Sequence, residues 1–195
     1  MSVAKKLDER YNYADYLTWT DEDERWEIIE GVPYMMSPSP TRKHQKVSMQ
    51  LSLIIGNYLK EKSCEIYSAP FDVRLLDKSK YEDEIFTVVQ PDISVICDKE
   101  KLDEKGCLGS PDMIIEILSP STAKKDKIDK FYLYEKYGVK EYWLVELDNE
   151  IITVFKLQNN GLYGRPDIYS VENKKIKVGI FDDLEIDLEE VFGKE

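Results

Sequence analysis

Glu116 stands where a carboxylate is costly: the run Met113-Ile114-Ile115-Glu116-Ile117-Leu118 is otherwise apolar. An unpaired charge buried in such a strand is strongly unfavourable. Two arrangements relieve it, a buried salt bridge or a divalent cation bound to the carboxylate. A second acid, Asp92, follows Pro91 and precedes the apolar run Ile93–Cys97. Pro-Asp also marks ordinary loops and turns, so Asp92 gains meaning only from its neighbours. Carboxylates at the ends of adjacent strands suit Mg²⁺ or Mn²⁺, because Mg²⁺ needs few protein ligands and keeps several waters. A cation held this way activates water and stabilises a phosphate oxyanion. The two acids must then face the same side of their sheet.

Past Ser119-Pro120-Ser121-Thr122, residues Asp126, Lys130 and Tyr134 fall at i, i+4 and i+8 and share one helix face. Chain reversal after the Glu116 strand would turn that face back toward the carboxylates. Lys130 would then orient the attacking water or offset developing negative charge. The competing reading is a solvated Asp–Lys pair worth about 0.2–0.5 kcal/mol. Lys124, Lys125 and Lys127 add a local basic patch. His44 is the only histidine, and without a second histidine or a nearby cysteine it does not make a zinc site. No glycine-rich phosphate loop, GxSxG or Cys–His pair is present, which removes support for P-loop hydrolysis and acyl transfer.

These residues need elements to hold them. Asn12 can cap a short helix through about Trp19, with Tyr13, Tyr16 and Leu17 on one side. Trp26 to Met35 reads as a hairpin turning at Glu30-Gly31. Ser37-Pro38-Ser39-Pro40 is a loop, since its prolines forbid a regular element. A helix from about Thr41 to Lys62 carries the stripe Val47, Leu51, Ile54, Ile55, Tyr58 and Leu59. Phe71, Val73 and Leu75 alternate with Asp72 and Arg74, predicting a half-exposed strand. The Glu116 run is apolar enough to lie centrally with both faces covered. A polar helix spans about Thr122 to Tyr137 and stops at Gly138. Tyr142–Leu147 and Ile151–Leu157 flank Asp148-Asn149-Glu150 as a second hairpin, and the tail offers short edge strands and a last turn. The fold class is a mixed α/β sandwich.

At 195 residues the chain fits one domain spanning residues 1–195, with a core that needs no disulfide. Cys64, Cys97 and Cys107 are odd in number and form no CxxC pair, so they are expected as free thiols in a reducing cytoplasm. Met1 to Arg10 lacks the apolar core of a secretory signal, and no apolar run is long enough to span a membrane. The net charge of −12 opposes tight metal-free DNA binding, which draws on phosphate neutralisation. It tolerates binding in which lysines gather locally and carboxylates hold metal.

Several stretches together carry a resemblance: Trp26-Glu27-Ile28-Ile29-Glu30-Gly31, the Ser-Pro loop leading to His44, Gln90-Pro91-Asp92-Ile93, Pro111 through Thr122, the Asp126/Lys130/Tyr134 spacing, and Gly138-Val139-Lys140-Glu141-Tyr142-Trp143-Leu144-Val145. In this order across most of the chain, the sequence resembles the Uma-type restriction endonuclease family of the PD-(D/E)xK nuclease superfamily. The resemblance implies a restriction-endonuclease-like mixed sheet flanked by helices, with extra C-terminal hairpin strands. It also implies Mg²⁺-dependent (or Mn²⁺-dependent) hydrolysis of DNA phosphodiesters and, as for many restriction-type proteins, a homodimer, although no surface identifies the interface. Asp92 corresponds to the PD half-motif and Glu116 to the second acid, so these two would bind the metal. Leu118 stands where the superfamily usually has lysine, and Lys130 is the substitute on the next helix. Glu27 and His44 match family positions lining the site. The alternative is a nuclease-like fold without cleavage, serving as a binding or interaction module.

Overall fold

The computed structural model describes residues 9–19, 24–36, 39–76 and 81–193. The first eight residues, read above for a leader, and Ser37-Pro38 of the proline loop lie outside them. The chain opens with α1 (Tyr13–Tyr16), the hairpin β1 (Trp26–Ile29) and β2 (Val32–Met35), and the long helix α2 (Arg42–Leu59). Short strands follow: β3 (Glu65–Ser68), β4 (Val73–Arg74), β5 (Val88–Val89), β6 (Ile93–Ile96), β7 (Leu102–Asp103), β8 (Gly106–Leu108) and β9 (Met113–Ile117). A π-helical turn (Lys125–Lys130) runs directly into α3 (Phe131–Lys136). The chain continues through β10 (Glu141–Glu146), β11 (Ile151–Lys156) and β12 (Asp167–Ser170), and ends with β13 (Lys175–Lys177), β14 (Glu185–Asp187) and α4 (Leu188–Phe192).

Two six-stranded mixed sheets form the body, ordered β2-β1-β5-β4-β8-β7 and β12-β11-β10-β9-β6-β3. In the second, β9 pairs in parallel with β10 and antiparallel with β6. That central place explains its near-continuous apolar sequence, since both faces are covered. On one face Met113, Ile115 and Ile117 meet the α2 stripe Val47, Leu51 and Ile55 and the C-terminal residues Ile176, Ile186 and Val191. On the other, Ile114 and Leu118 meet Leu133 and Tyr134 of α3 together with Val73, Val89 and Cys107 of the first sheet. Glu116 shares the parity of Ile114 and so points to this second face.

Several expected elements take a different form. The Phe71–Leu75 segment is strand only at Val73–Arg74, and it is not half-exposed. Arg74 is 2% exposed, ion-paired with Asp103 and lying against the Tyr13 ring. An adjacent sheet position can therefore bury a cation when a carboxylate and an aromatic face receive it. The tail forms its own ribbon, β13 with β14, instead of edge strands on a large sheet. Its Ile176, Val178, Leu184, Ile186 and Leu188 all reach the α2-side core.

The cysteine expectation fails. Cys64 and Cys97 form a disulfide, and only Cys107 is free. The cause is register: Glu65 pairs with Ile96 in the β3–β6 ladder, so the next residues outward, Cys64 and Cys97, oppose each other. Spacing along the chain could not reveal that pairing. The helices also end earlier or bend: α1 spans one turn, α2 stops at Leu59, and the helix before Gly138 opens with a π-turn over Lys125–Lys130 and continues as α3. Gly138 follows it with φ +77°, the left-handed exit that glycine makes easy.

Candidate active site

The β6–β9 ladder sets the two acids against each other. Ile93 pairs with Ile115, so one step further Asp92 falls opposite Glu116. Opposed residues of an antiparallel pair point to the same face. Asp92 Oδ2 accepts the amide of Ile117, the residue after Glu116, at 2.7 Å. Both acids line one cleft of about 960 Å³.

Two further elements bring the lysines. Ser119 and Thr122 exchange hydrogen bonds between side chain and amide, both at 3.3 Å, and start the helix that holds the π-turn. The Tyr142 hydroxyl of β10 adds a donor to the Asp126 carbonyl at 2.9 Å, a side-chain insertion of the kind that distorts a helical ladder. From this turn Lys130 Nζ reaches Glu116 Oε1 at 2.8 Å and Glu27 Oε1 at 2.8 Å, with Asp126 Oδ1 at 3.7 Å. Tyr134, one turn on, donates its hydroxyl to Glu116 Oε1 at 2.8 Å. The sequence of this helix is polar, yet Asp126, Lys130 and Tyr134 are all buried, because their shared polar face is turned inward against Glu116.

Glu27 arrives on the first hairpin. Glu30 and Gly31, at φ 51° and 87°, make the tight turn, and Glu27 pairs with Tyr34 across it. It is fully buried at 0% exposure. Its Oε1 takes Lys130 and the Gln90 amide, the latter at 3.1 Å, while its Oε2 takes Lys125 at 2.6 Å. His44 lies in the first turn of α2, where the Thr41 hydroxyl accepts its amide at 3.2 Å. Its Nε2 stands 3.3 Å from Asp92 Oδ2, and its Nδ1 is buried without a partner. Each residue singled out from the sequence, Asp92, Glu116, Lys130, Glu27 and His44, thus lines this one cleft.

The electrostatics follow from the count of charges. Glu27, Asp92, Glu116 and Asp126 face Lys125 and Lys130, which leaves an excess of acid when all four are ionised. Burial pushes Glu116 up to about 8; Asp126, Asp92 and Glu27 add to this, and Lys130 opposes it. Burial also pushes Glu27 upward, but Lys130 and Lys125 outweigh it and hold this carboxyl down at about 2. Lys130 would lose its proton to burial but for Glu116, Glu27 and Asp126, which keep it firmly an ammonium. Burial likewise lowers His44, and Asp92 more than restores it, leaving it raised. The raised Glu116 carboxyl marks a position where added positive charge would be favourable.

The donor set fits a lightly ligated hard cation. Asp92 Oδ1 and Glu116 Oε2 accept no hydrogen bond from the described residues. Among those residues no group of three or more His, Cys, Asp or Glu side chains is gathered as a metal cage. Asp92 and Glu116 form the two-carboxylate arrangement Mg²⁺ tolerates.

Sequence reading missed Gln90, whose amide caps Glu27 and whose side chain holds Arg25 at 3.1 Å. No local signal marks an amide donor. It also left Lys125 within a general basic patch, although Lys125 meets Glu27 directly.

The mixed sheet thus opposes Asp92 to Glu116, with Lys130 buried between Glu116 and Glu27. The structure superposes on a crystal structure described as "a putative nuclease belonging to DUF820" from Anabaena variabilis ATCC 29413, with TM-score 0.74 and 20% identity over 93% of this chain and 97% of that one. The chain belongs to the Uma2 family, described as "Putative restriction endonuclease", whose model matches residues 13–189. It is also 28% identical over 149 residues to "Uncharacterized protein slr1290" of Synechocystis sp. (strain ATCC 27184 / PCC 6803 / Kazusa), covering 75% of this chain and 74% of that one. Among the described residues no helix is long and apolar enough to cross a membrane.

Proposed function

We propose that this protein is a Mg²⁺- or Mn²⁺-dependent endonuclease that hydrolyses DNA phosphodiester bonds. The observation that carries the reading is the opposition of Asp92 and Glu116 across β6 and β9, each with one oxygen unengaged, in a cleft with more acid than lysine. Asp92 and Glu116 would hold the cation. When bound, it would lower the pKa of a water and stabilise the phosphate oxyanion.

The chain's own residues do the rest. His44 and the Ile117 amide fix one oxygen of Asp92 and leave the other without a hydrogen bond from the described residues. Lys130 and Tyr134 do the same for Glu116 and place a permanent positive charge beside it. Glu27 keeps that ammonium in place from the opposite side.

The test is calorimetric titration with Mg²⁺ and Mn²⁺, paired with cleavage of supercoiled and linear DNA. Wild type should bind the cation and cleave; Glu116→Ala should lose both while still folding. Cation binding by Glu116→Ala equal to wild type would remove the metal site. A nuclease-like fold without cleavage is favoured by one feature, the enclosure of Lys130, which stands in for the motif lysine that Leu118 replaces. Cation binding without cleavage in wild type would select that second reading.

A further inference from the structure

Lys130 is enclosed by acids and shut off from the cleft's solvent. Its ammonium donates to Glu116 Oε1 at 2.8 Å and is ion-paired with Glu27 Oε1 at 2.8 Å and Asp126 Oδ1 at 3.7 Å. Its side chain is 3% exposed. Lys125 is placed differently. Its ammonium meets one carboxylate, Glu27 Oε2 at 2.6 Å, and its side chain is 17% exposed on the cleft wall.

The π-turn brings the two lysines together. In an α-helix a residue five positions on lies about 140° around the axis at 3.6 residues per turn. A π-turn joins i to i+5, so Lys125 and Lys130, the first and last residues of this one, lie over one another. They reach the two oxygens of the same Glu27 carboxylate. Release of Lys125 would not strand Glu27, which keeps Lys130 and the Gln90 amide. Lys125 can therefore turn to an incoming anion while Lys130 stays.

We infer that Lys125 is the lysine that touches the scissile phosphate, and that Lys130 is a positioning residue for Glu27 and Glu116. This rests on the nuclease reading above. In hydrolysis the water oxygen forms a bond to phosphorus and the bond from phosphorus to the leaving oxygen breaks. The proton shed by the water balances the one taken up by the leaving oxygen. Lys125 remains an ammonium throughout, donating to a non-bridging phosphate oxygen whose charge grows in the transition state.

The experiment compares wild type with Lys125→Met, Lys125→Arg and Lys130→Met. Cleavage of a labelled duplex is followed with Mn²⁺, and binding of the same duplex with Ca²⁺ is followed by fluorescence anisotropy across a salt series. Lys125→Met should lower kcat by about 100-fold or more, with Mn²⁺ affinity unchanged. Its slope of log affinity against log salt should shrink by about 0.9, the loss of one phosphate contact. Lys125→Arg should restore part of the binding slope and less of kcat, because a planar fork replaces a compact charge. Lys130→Met should lower the thermal midpoint and change Mn²⁺ affinity, as befits a residue acting through the ligands. Wild-type kinetics and salt slope in Lys125→Met would overturn the assignment. If wild type binds DNA without cleaving it, the nuclease reading falls by itself. The salt slope of Lys125→Met then decides the contact alone, a smaller slope supporting it and an equal one ending it. Neither cleavage nor binding in wild type would overturn both.

Discussion

Glu27 and Glu116 share the ammonium of Lys130 yet titrate in opposite directions. Glu27 collects two lysines and a backbone amide, so its charge is well matched. Burial dominates at Glu116, and the nearby Asp126, Asp92 and Glu27 add to it. A carboxyl raised in the folded state stabilises below its unfolded value near 4.5 and loses that contribution as pH rises toward about 8. Metal-free protein should therefore weaken in urea across this window, and Glu116→Gln should flatten the slope. Loss of several kcal/mol in Glu116→Gln at pH 8 would show that Glu116 serves as a structural ion-pair partner. Glu27 has the reverse sign: its stabilisation is present above 4.5 and lost as pH falls toward about 2. Glu27→Gln should lose stability at neutral pH and show a shallower acid limb. Lys130→Met removes the shared counter-charge and should cost about 3–5 kcal/mol in a urea melt without cation. A change below 1 kcal/mol, roughly that of a surface pair, would mean the carboxylates take up protons at no net cost.

Among the elements, the pairing of β3 with β6 has two consequences at opposite ends. At one end the ladder reaches Asp92, whose carbonyl accepts the Ala69 amide at 3.1 Å; at the other it closes Cys64 on Cys97. The disulfide encloses a sequence separation of 33 residues, for which the chain-entropy estimate is about 3–4 kcal/mol as an upper figure. Thiol reductant or Cys97→Ser should lower the thermal midpoint. The Asp92 end lies about 17 Å away at 3.4 Å per residue, so cation affinity should stay unchanged. A parallel fall in cation affinity would mean that strand β3 frays all the way to the site. The π-turn works on the same scale. It lets a short helix present Lys125, Asp126 and Lys130 inward while Lys127, Ile128 and Asp129 remain outside.

For the molecule as a whole, the net charge of −12 works against a polyanion. Lysines near the cleft are engaged by acids: Lys127 meets Glu146 at 2.6 Å, and Lys125 meets Glu27. Divalent cation should therefore be a condition of DNA binding as well as of cleavage. Anisotropy titrations without divalent cation should give affinities no tighter than the about 10⁻⁴–10⁻⁶ M of non-specific binding. Adding Ca²⁺ should tighten them, and Glu116→Ala should abolish the gain. Nanomolar binding in chelator would contradict this and point to a basic face elsewhere.

Patterns of short period were readable from the sequence alone. The Glu30-Gly31 turn, the α2 stripe, the burial of the Glu116 strand and the β10–β11 hairpin each depend on residues a few positions apart. The acids were legible for a related reason: Glu116 interrupts an apolar run and Asp92 opens one, and a charge at such a position needs a partner or a ligand. What the sequence could not supply was which distant residues meet. The Cys64–Cys97 bridge, the ion pair that buries Arg74 and the Gln90 amide on Glu27 each depend on register between separate strands. The division between Lys125 and Lys130 depends on a π-turn whose residues look like any polar helix. In both cases the energy lies in contacts across the fold, and local propensity carries no trace of it.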